Sequence, residues 1–261
     1  MACEQSGLEE FANWVPDKTA SSDRPIVVKV NDFCGLLAGQ WLNDTLVDFF
    51  LMMAISDSNR ADTHVFSSYL YTSLMGESWN SKSSTFTKTI DIFKKRALFI
   101  PIVKNLHWSH VVLLNLGSIS REDSSCSLMP ILLYFDSLGG DVRNVESRIY
   151  SWLNAEWNRI HGRIGAFSAK TMHVLNPIRA RQKNGYDCGI FSLKYAVATF
   201  RSLDNLIDFP ILKGNPPCLD EEGFKMQITD SDHFKFDQRY VHKMRSQYKK
   251  FIELVAALSR K

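Results

Sequence analysis

Residues 182–189 read Gln-Lys-Asn-Gly-Tyr-Asp-Cys-Gly, a polar turn that runs directly into an apolar helical pattern over 188–200. Cys188 therefore stands at the expected start of a helix, where unpaired backbone N–H groups and the helix dipole favour a thiolate. Asp187 has the residue type of an N-cap, and we interpret it as structural. We expect Gly189 to leave room for a substrate backbone. A small buried cysteine at a helix start is the alternative interpretation of Cys188.

A cysteine nucleophile needs a base and a group that orients the base, and two polar residues at strand ends fit these roles. His107 opens one apolar strand, and Asp136 ends the next strand 29 residues later. At the rim of a sheet, Asp136 would accept a hydrogen bond from one imidazole nitrogen while the other nitrogen faces Cys188. Taken alone, His107 also fits a surface histidine and Asp136 a turn former. His110 competes for the role of base, although it would lie inside the strand.

The surrounding pattern predicts an α+β fold in one domain, because strands and helices mix without strict alternation. Short apolar runs rich in β-branched or aromatic residues predict strands over 26–30, 97–103, 107–116, 130–135 and 172–175. Helical spacing predicts helices over 42–54, 65–75, 143–160, 188–200 and 238–261. The start of the chain is polar and turn-like, so we expect an N-terminal lead-in over 1–25 and a catalytic domain over 26–261.

The tail over 238–261 combines a charged face with an apolar stripe. A terminal amphipathic helix packed on the core is the expected structure, and a partner-binding helix is the alternative. The predicted stripe runs through Tyr240, Met244, Phe251 and Leu254.

Composition restricts the class of protein. The 261 residues are 45% hydrophobic and 12% aromatic, which is ample for a packed core. A net charge of +3 gives no support to non-specific nucleic-acid binding. Five cysteines without CxxC spacing argue against a disulfide framework or a zinc site. We see no signal-peptide pattern and no apolar run long enough for a bilayer, so we expect no membrane association and a cytoplasmic or nuclear location.

Four short motifs, in order along the chain, resemble those of the ubiquitin-like-protein proteases, the Ulp/sentrin-specific protease family. They are Trp-Leu-Asn-Asp at 41–44, His-Trp at 107–108, Asp-Ser-Leu at 136–138 and Gln-x-Asn-x-x-Asp-Cys-Gly at 182–189. The resemblance runs from about residue 26 to 201, roughly two-thirds of the chain. It implies a single-domain papain-like (permuted) cysteine protease fold, with a central mixed sheet flanked by helices.

The resemblance also implies catalytic roles. Cys188 would be the nucleophile, His107 the general base and then the acid, and Asp136 the group that orients the imidazole. Gln182 would join the Cys188 backbone N–H in the oxyanion hole.

Three further positions match substrate-binding residues of the family. Trp41 and Trp108 would close over the C-terminal tail of the substrate, and two flat indoles leave a slot so thin that only Gly-Gly fits within it. Asp44 matches a position that contacts the folded surface of the modifier.

The implied activity is that of a thiol isopeptidase that cleaves after the C-terminal Gly-Gly of SUMO, without a metal or organic cofactor. The expected partners are SUMO or another ubiquitin-like modifier and its conjugates, bound by a monomer.

One alternative is the same mechanism acting on NEDD8 or ubiquitin. A Ser/Thr acetyltransferase of the bacterial effector class is a second alternative, which would not need the slot of Trp41 and Trp108. A modifier-binding module without activity is the third, and the filled catalytic positions argue against it.

The chain departs from the family pattern in three places. The segment 118–129 lengthens the gap between the histidine and the aspartate, and His110 stands where an apolar strand residue is usual. The region after residue 201, which includes Cys218, is not covered by the motifs.

Overall fold

A computed structural model describes residues 10–14, 26–56, 60–76, 79, 84–120, 128–165, 167–177, 180–207, 209, 211–212 and 218–259. Its strands are β1 (Glu10–Trp14), β2 (Ile26–Lys29), β3 (Thr63–Val65), β4 (Ala97–Lys104), β5 (His107–Leu114), β6 (Ile131–Phe135), β7 (His173–Leu175), β8 (Ile211–Leu212) and β9 (Cys218–Leu219). Its α-helices are α1 (Val30–Cys34), α2 (Asp44–Ser56), α3 (Tyr69–Leu74), α4 (Arg143–His161), α5 (Cys188–Arg201), α6 (Leu203–Ile207), α7 (Glu221–Asp230) and α8 (Gln238–Ser259). Short 3₁₀ turns cover Ser84–Phe86, Ile92–Lys94, Leu116–Ser120 and Asp232–Phe234.

A mixed sheet of five strands, in the order β3-β4-β5-β6-β7, forms the centre of the domain. The three middle strands are antiparallel to one another, whereas β3 and β7 run parallel to their neighbours. The prediction of an α+β domain around a central mixed sheet is therefore confirmed.

Both faces of this sheet are buried, and each face has its own hydrophobic core. Alternate residues of a strand point to opposite faces. Phe99 of β4 and Val112 of β5 accordingly join one core, with α2 and α5, while Leu98 and Val111 join the other, with α3 and α4. The sheet is thus the middle layer between two sets of helices.

The region 65–75, predicted as one helix, instead forms the end of β3 followed by α3. The backbone N–H of Phe66 donates to the carbonyl of Phe99 at 2.9 Å, which continues the pairing of β3 with β4. Here tertiary strand pairing outweighs the local helical spacing of the apolar residues.

The C-terminal helix α8 packs on the core as expected, and the predicted stripe is half right, since Met244 is buried and Phe251 packs against the core. Tyr240 and Leu254 are exposed, by 42% and 58%, although the predicted stripe included both. The apolar side chains that α8 buries are Val241, Met244, Ile252 and Ala256.

Part of the predicted lead-in is ordered in a strand, because β1 pairs with β2 in antiparallel fashion. The polar composition of this part of the sequence did not indicate that strand. The rest of 1–25 lies outside the described residues, as does 121–127 of the segment that lengthens the gap between His107 and Asp136.

Candidate active site

One edge of the central sheet brings His107 and Asp136 together. Since β5 and β6 are antiparallel, the first residue of β5 and the residue after β6 lie at the same rim. His107 opens β5, and Asp136 directly follows β6. The Nε2 atom of His107 is 2.8 Å from Oδ1 of Asp136. The structure therefore contains the His–Asp pair expected from the two strand ends.

The carboxylate of Asp136 is buried and surrounded by hydrogen-bond donors. Its Oδ1 also accepts from the N–H groups of Leu138 at 2.8 Å and Gly139 at 3.2 Å, and its Oδ2 accepts from the Tyr134 hydroxyl at 3.1 Å. Burial raises the pKa of Asp136, but the hydrogen bonds from His107 and then Leu138 outweigh it and lower the pKa to about 2. Asp136 is consequently ionised at neutral pH and holds the imidazole in one orientation.

His107 lies between Asp136 and Cys188. The hydrogen bond to Asp136, followed by the one to Cys188, raises the pKa of His107 to about 9 against the opposing effect of burial. The ring is therefore protonated at neutral pH. Because Nε2 bonds to Asp136, Nδ1 is the nitrogen that serves Cys188. An imidazolium next to a thiol favours the thiolate, which is the nucleophilic form.

Cys188 is the first residue of α5 and is buried. The backbone N–H of a first helical residue has no partner inside the helix, so it can donate to a negatively charged oxygen. The hydroxyl of Ser192 donates to the carbonyl of Ser109 at 3.2 Å, which ties the N-terminal part of α5 to β5. Among the described cysteine side chains, Cys34 is disulfide-bonded and Cys188 is free. Cysteine spacing gave no sign of that disulfide.

The residue before the nucleophile is held by α8. Asp187 occupies the N-cap position, but its side chain makes no capping hydrogen bond, which corrects the expected role. Its Oδ1 accepts from Arg245 Nε at 3.0 Å and Nη2 at 2.7 Å. Its Oδ2 accepts from Gln238 Nε2 at 2.6 Å and Asn184 Nδ2 at 2.8 Å. Arg245 also donates to the carbonyl of Gly35 at 2.7 Å and so joins the nucleophile segment to the segment that precedes Trp41.

Sequence reasoning missed Arg245, although the sequence contains a usable signal. Arg245 follows Val241 by four residues and precedes Ile252 by seven, so it lies on the stripe of α8 that faces the core. A charged residue on a buried stripe indicates a buried partner of opposite charge. The partner, Asp187, could not be identified without the fold because 58 residues separate the two.

Gln182 is buried next to the loop that carries Asp136. Its Oε1 accepts from the Ser137 hydroxyl at 2.6 Å, and its Nε2 donates to the carbonyl of Asn184 at 2.6 Å. A primary amide has two N–H groups, so one of them is left beyond the bond to Asn184. This is the group that the predicted oxyanion role requires.

Trp41 and Trp108 are linked through the backbone of Leu42. Trp41 is 51% exposed, and its Nε1 donates to the carbonyl of Gly185 at 2.7 Å. Trp108 is only 4% exposed, and its Nε1 donates to the carbonyl of Leu42 at 2.8 Å.

Gly189, the residue after the nucleophile, packs closely against Leu42. A Cβ atom added at Gly189 would lie 2.9 Å from Cβ of Leu42. The glycine thus permits close packing of α5 on Leu42, a contact that the sequence did not indicate.

Asp44 is the first residue of α2. Its carboxylate accepts a hydrogen bond from the hydroxyl of Tyr69, an exposed residue. Asn43, not Asp44, caps the helix, since its Oδ1 accepts from the Leu46 N–H at 3.1 Å. Asp44 is therefore placed near the surface without a capping role.

His110, the competing candidate for the base, is fully buried within β5. Burial lowers the pKa of His110 to about 3, so the ring is neutral. Its Nδ1 lies 3.4 Å from the Ser192 hydroxyl, and its Nε2 has no hydrogen-bond partner among the described residues. A ring enclosed in this way is out of reach of a substrate, so His107 is the better candidate.

The described ranges contain no group of three or more His, Cys, Asp or Glu side chains placed to hold a metal ion. Within those same ranges, none of the helices has the length and apolar character needed to cross a membrane.

Residues 40–250 match the family described as the Ulp1 protease family, C-terminal catalytic domain. The chain belongs to the Ulp1 protease family. The matched range contains His107, Asp136 and Cys188 as well as both tryptophans of the predicted slot. The resemblance inferred from four short motifs is therefore confirmed, and with it the class of the enzyme, a cysteine protease.

Individual relatives agree with this assignment to the Ulp1 family. The chain is 28% identical to the probable ubiquitin-like-specific protease 2A of Arabidopsis thaliana, over 65% of this chain and 24% of the relative. It is 25% identical to human sentrin-specific protease 2, over 69% of this chain and 29% of the relative. The matches thus cover only about a quarter of the length of these relatives. A solved structure of a de-sumoylating protease shares the fold, with a TM-score of 0.75 and 18% identity over 98% of this chain and 93% of that one.

Proposed function

We propose that this domain is a thiol isopeptidase that cleaves after the C-terminal Gly-Gly of SUMO, in conjugates and in precursors. The observation that carries the proposal is the 2.8 Å pair of His107 and Asp136 next to Cys188 at the first position of α5. This arrangement provides a nucleophile, a proton carrier and an orienting carboxylate, which are the groups that acyl transfer through a thioester needs.

In the first half of the reaction, the Cys188 thiolate attacks the carbonyl carbon of the terminal glycine, and the carbonyl oxygen becomes an oxyanion. The Cys188 backbone N–H and the second amide N–H of Gln182 donate to that oxygen. The intermediate collapses, the C–N bond breaks, and His107 gives its proton to the departing lysine amine. The modifier is then held on Cys188 as a thioester.

In the second half, a water molecule attacks the thioester carbonyl and His107 takes a proton from it. The C–S bond breaks, and the modifier leaves with a free C-terminal carboxylate. Cys188 returns as the thiolate beside a protonated His107, so the cycle consumes one water and no other reactant. Asp136 keeps the same orientation of the ring in both halves.

Substrate selection rests on the predicted slot. Trp41, with half of its surface exposed, would cover the C-terminal tail, and Trp108 would form the floor of the slot beneath it. Only glycine, which has no side chain, fits a gap of this kind. Asp44 would contact the folded surface of the modifier, together with the exposed Tyr69 to which it is hydrogen-bonded.

SUMO is the modifier that the relatives favour, since one of them is named sentrin-specific and the structural neighbour is a de-sumoylating protease. We place the activity in the nucleus or cytoplasm, where the free thiol of the nucleophile Cys188 is kept reduced. We also propose that the domain acts as a monomer, since one chain holds all of the catalytic groups.

The deciding experiment uses modifier probes that carry a C-terminal vinyl electrophile. The purified protein is incubated separately with SUMO, NEDD8 and ubiquitin probes, and mass spectrometry locates any adduct. We expect a SUMO adduct on Cys188 that disappears in Cys188→Ala and in His107→Ala. An adduct with NEDD8 or ubiquitin instead would replace the proposed modifier and keep the mechanism. A folded protein that reacts with none of the probes would overturn the proposal.

Cys188→Ser separates catalysis from binding. We expect this variant to lose turnover and to bind SUMO as tightly as the wild type does, measured by calorimetry. Unchanged cleavage would remove Cys188 from the mechanism.

A further inference from the structure

Two exposed leucines flank the His–Asp pair. Leu106 directly precedes His107 and is 72% exposed, and Leu138 follows Asp136 by two residues and is 60% exposed. The backbone N–H of Leu138 donates to Oδ1 of Asp136 at 2.8 Å, so this side chain projects from a backbone that is bonded to the site. Neither leucine belongs to the two core clusters of the described residues.

The backbone of Leu106 makes this residue type unexpected. Lys104 pairs with His107, so Asn105 and Leu106 form a two-residue turn between β4 and β5. Both have positive φ angles, 52° for Asn105 and 60° for Leu106. Asparagine tolerates this left-handed conformation and glycine prefers it, whereas a leucine destabilises the turn. Because the side chain is also exposed, packing offers no reason for a leucine at this position.

The proposed reaction offers a reason. The lysine amine that leaves Cys188 must come within hydrogen-bond distance of His107 to receive its proton. The methylene stem of that lysine then passes the side chains that border His107. Trp41 is also exposed, but it is hydrogen-bonded to the loop before Cys188. On the two segments that carry His107 and Asp136, the exposed large apolar side chains are Leu106 and Leu138.

We propose that Leu106 and Leu138 form an apolar rim that contacts the methylene stem of the leaving lysine. The rim makes the enzyme favour a modifier joined to a lysine side chain over one joined to an amine that has no stem. Burial of methylene groups against leucine supplies the preference, since apolar contact area removed from water is favourable. This inference rests on the proposed function and adds a determinant of leaving-group specificity to it.

The test compares two substrates that differ only in the leaving amine. In one, the modifier that labels Cys188 is joined to the Nζ of lysine in a short peptide, and in the other it is joined to glycinamide. We expect the double variant Leu106→Asn, Leu138→Ser to lower kcat/KM for the lysine substrate about 5- to 10-fold, and for glycinamide less than about 2-fold. Labelling by the vinyl probe, which has no leaving group, should keep its wild-type rate.

Folding is controlled by the choice of substitution. Asparagine suits the left-handed conformation at position 106, so Leu106→Asn is expected to keep or raise the melting temperature. Leu254→Ser replaces a leucine of α8 that is 58% exposed and is expected to leave both substrates unaffected. Equal losses on the two substrates, or no loss on either, would overturn the inference. A wild-type protein that forms no probe adduct would instead overturn the proposed function itself, and the inference with it.

Discussion

His107 and His110 stand three residues apart on one strand and have opposite properties. The hydrogen bond to Asp136 raises the pKa of His107 to about 9, whereas burial lowers the pKa of His110 to about 3. Identical side chains on one strand thus have pKa values that are shifted in opposite directions. The comparison shows that a histidine's function is set by its partner and its access to solvent, not by its residue type or its strand.

The difference has a simple structural origin. His107 opens β5 at the rim of the sheet. The pairing of β5 with β6 begins only at His110, so a carboxylate can approach the His107 ring. His110 pairs with Phe135 inside the sheet, and its ring lies 6.2 Å from that of Phe99. A charged ring there would lose its hydration without gaining a counter-ion, so the neutral form is favoured.

The largest expected effect is the loss of activity in His107→Ala. Without the ring there is no proton carrier for either half of the reaction, so kcat/KM should fall by about 10³-fold or more. Cleavage of a SUMO–lysine conjugate measures it. His110→Leu is the matched control and should stay within about 2-fold of the wild type. The opposite result, with His110→Leu inactive and His107→Ala active, would reverse the assignment of the base.

Asp136→Asn is expected to have the second largest effect, a loss of about 10²-fold or more in kcat/KM. The amide neither stabilises the imidazolium nor enforces the correct orientation of the ring. Because Asp136 is the main cause of the raised pKa of His107, the variant should also lower that pKa. NMR titration of the His107 ring measures the shift, and an unchanged titration would show that Asp136 does not control the ring.

A third prediction concerns stability in acid. His110 stays neutral in the folded protein but binds a proton in the unfolded chain below its ordinary pKa of 6.5. The unfolded state therefore holds more protons at low pH. The free energy of unfolding decreases as the pH is lowered from 6.5 towards 3, by about 1.4 kcal/mol per pH unit. His110→Leu should remove this contribution, about 2 kcal/mol at about pH 5.

Urea unfolding of wild type and His110→Leu at about pH 5 and pH 7 tests the prediction. The substitution leaves Ser192 its hydrogen bond to the Ser109 carbonyl, so no donor is orphaned. His64 provides an internal reference, because burial also lowers its pKa, to about 4. Some acid sensitivity should therefore persist in the variant. Identical pH dependence in the two proteins would show that His110 is not held neutral.

The smallest effect is expected at alkaline pH and has the opposite sign. The pKa of His107 in the folded protein, about 9, lies above its ordinary value of 6.5. Its contribution to stability is thus complete below about 6.5 and is lost as the pH rises through about 9. The loss is limited because the His107 side chain is 23% exposed, so solvent screening reduces the contribution of its charge to stability. A melting temperature that falls by a few degrees over this range in the wild type, but not in His107→Ala, would be the signature.

The positions of the candidate catalytic residues were predictable because local sequence patterns indicate strand ends and helix starts. His107, Asp136 and Cys188 each lie at such a boundary, and their motifs occur in the order that the Ulp1 family uses. His110 was correctly expected inside its strand, because the apolar run continues past it. The helix predicted over 65–75 was partly wrong, since only the pairing with β4 shows that its first residue belongs to the sheet.

Arg245 and Gln238 were not predicted, for a related reason. Both reach Asp187 from α8, more than fifty residues further along the chain. No local pattern encodes a contact at that separation. The same holds for the close approach of Gly189 to Leu42, a packing contact that no local pattern indicates.

The sequence by itself determined which residues can do the chemistry, because residue type and position at an element's end are local properties. It also determined the family, because four ordered motifs carry that information. Only the tertiary structure decided which histidine is protonated and what holds the nucleophile segment in place. Those properties depend on distances between residues remote in sequence, and on burial, which arise only when the sheet and helices pack together.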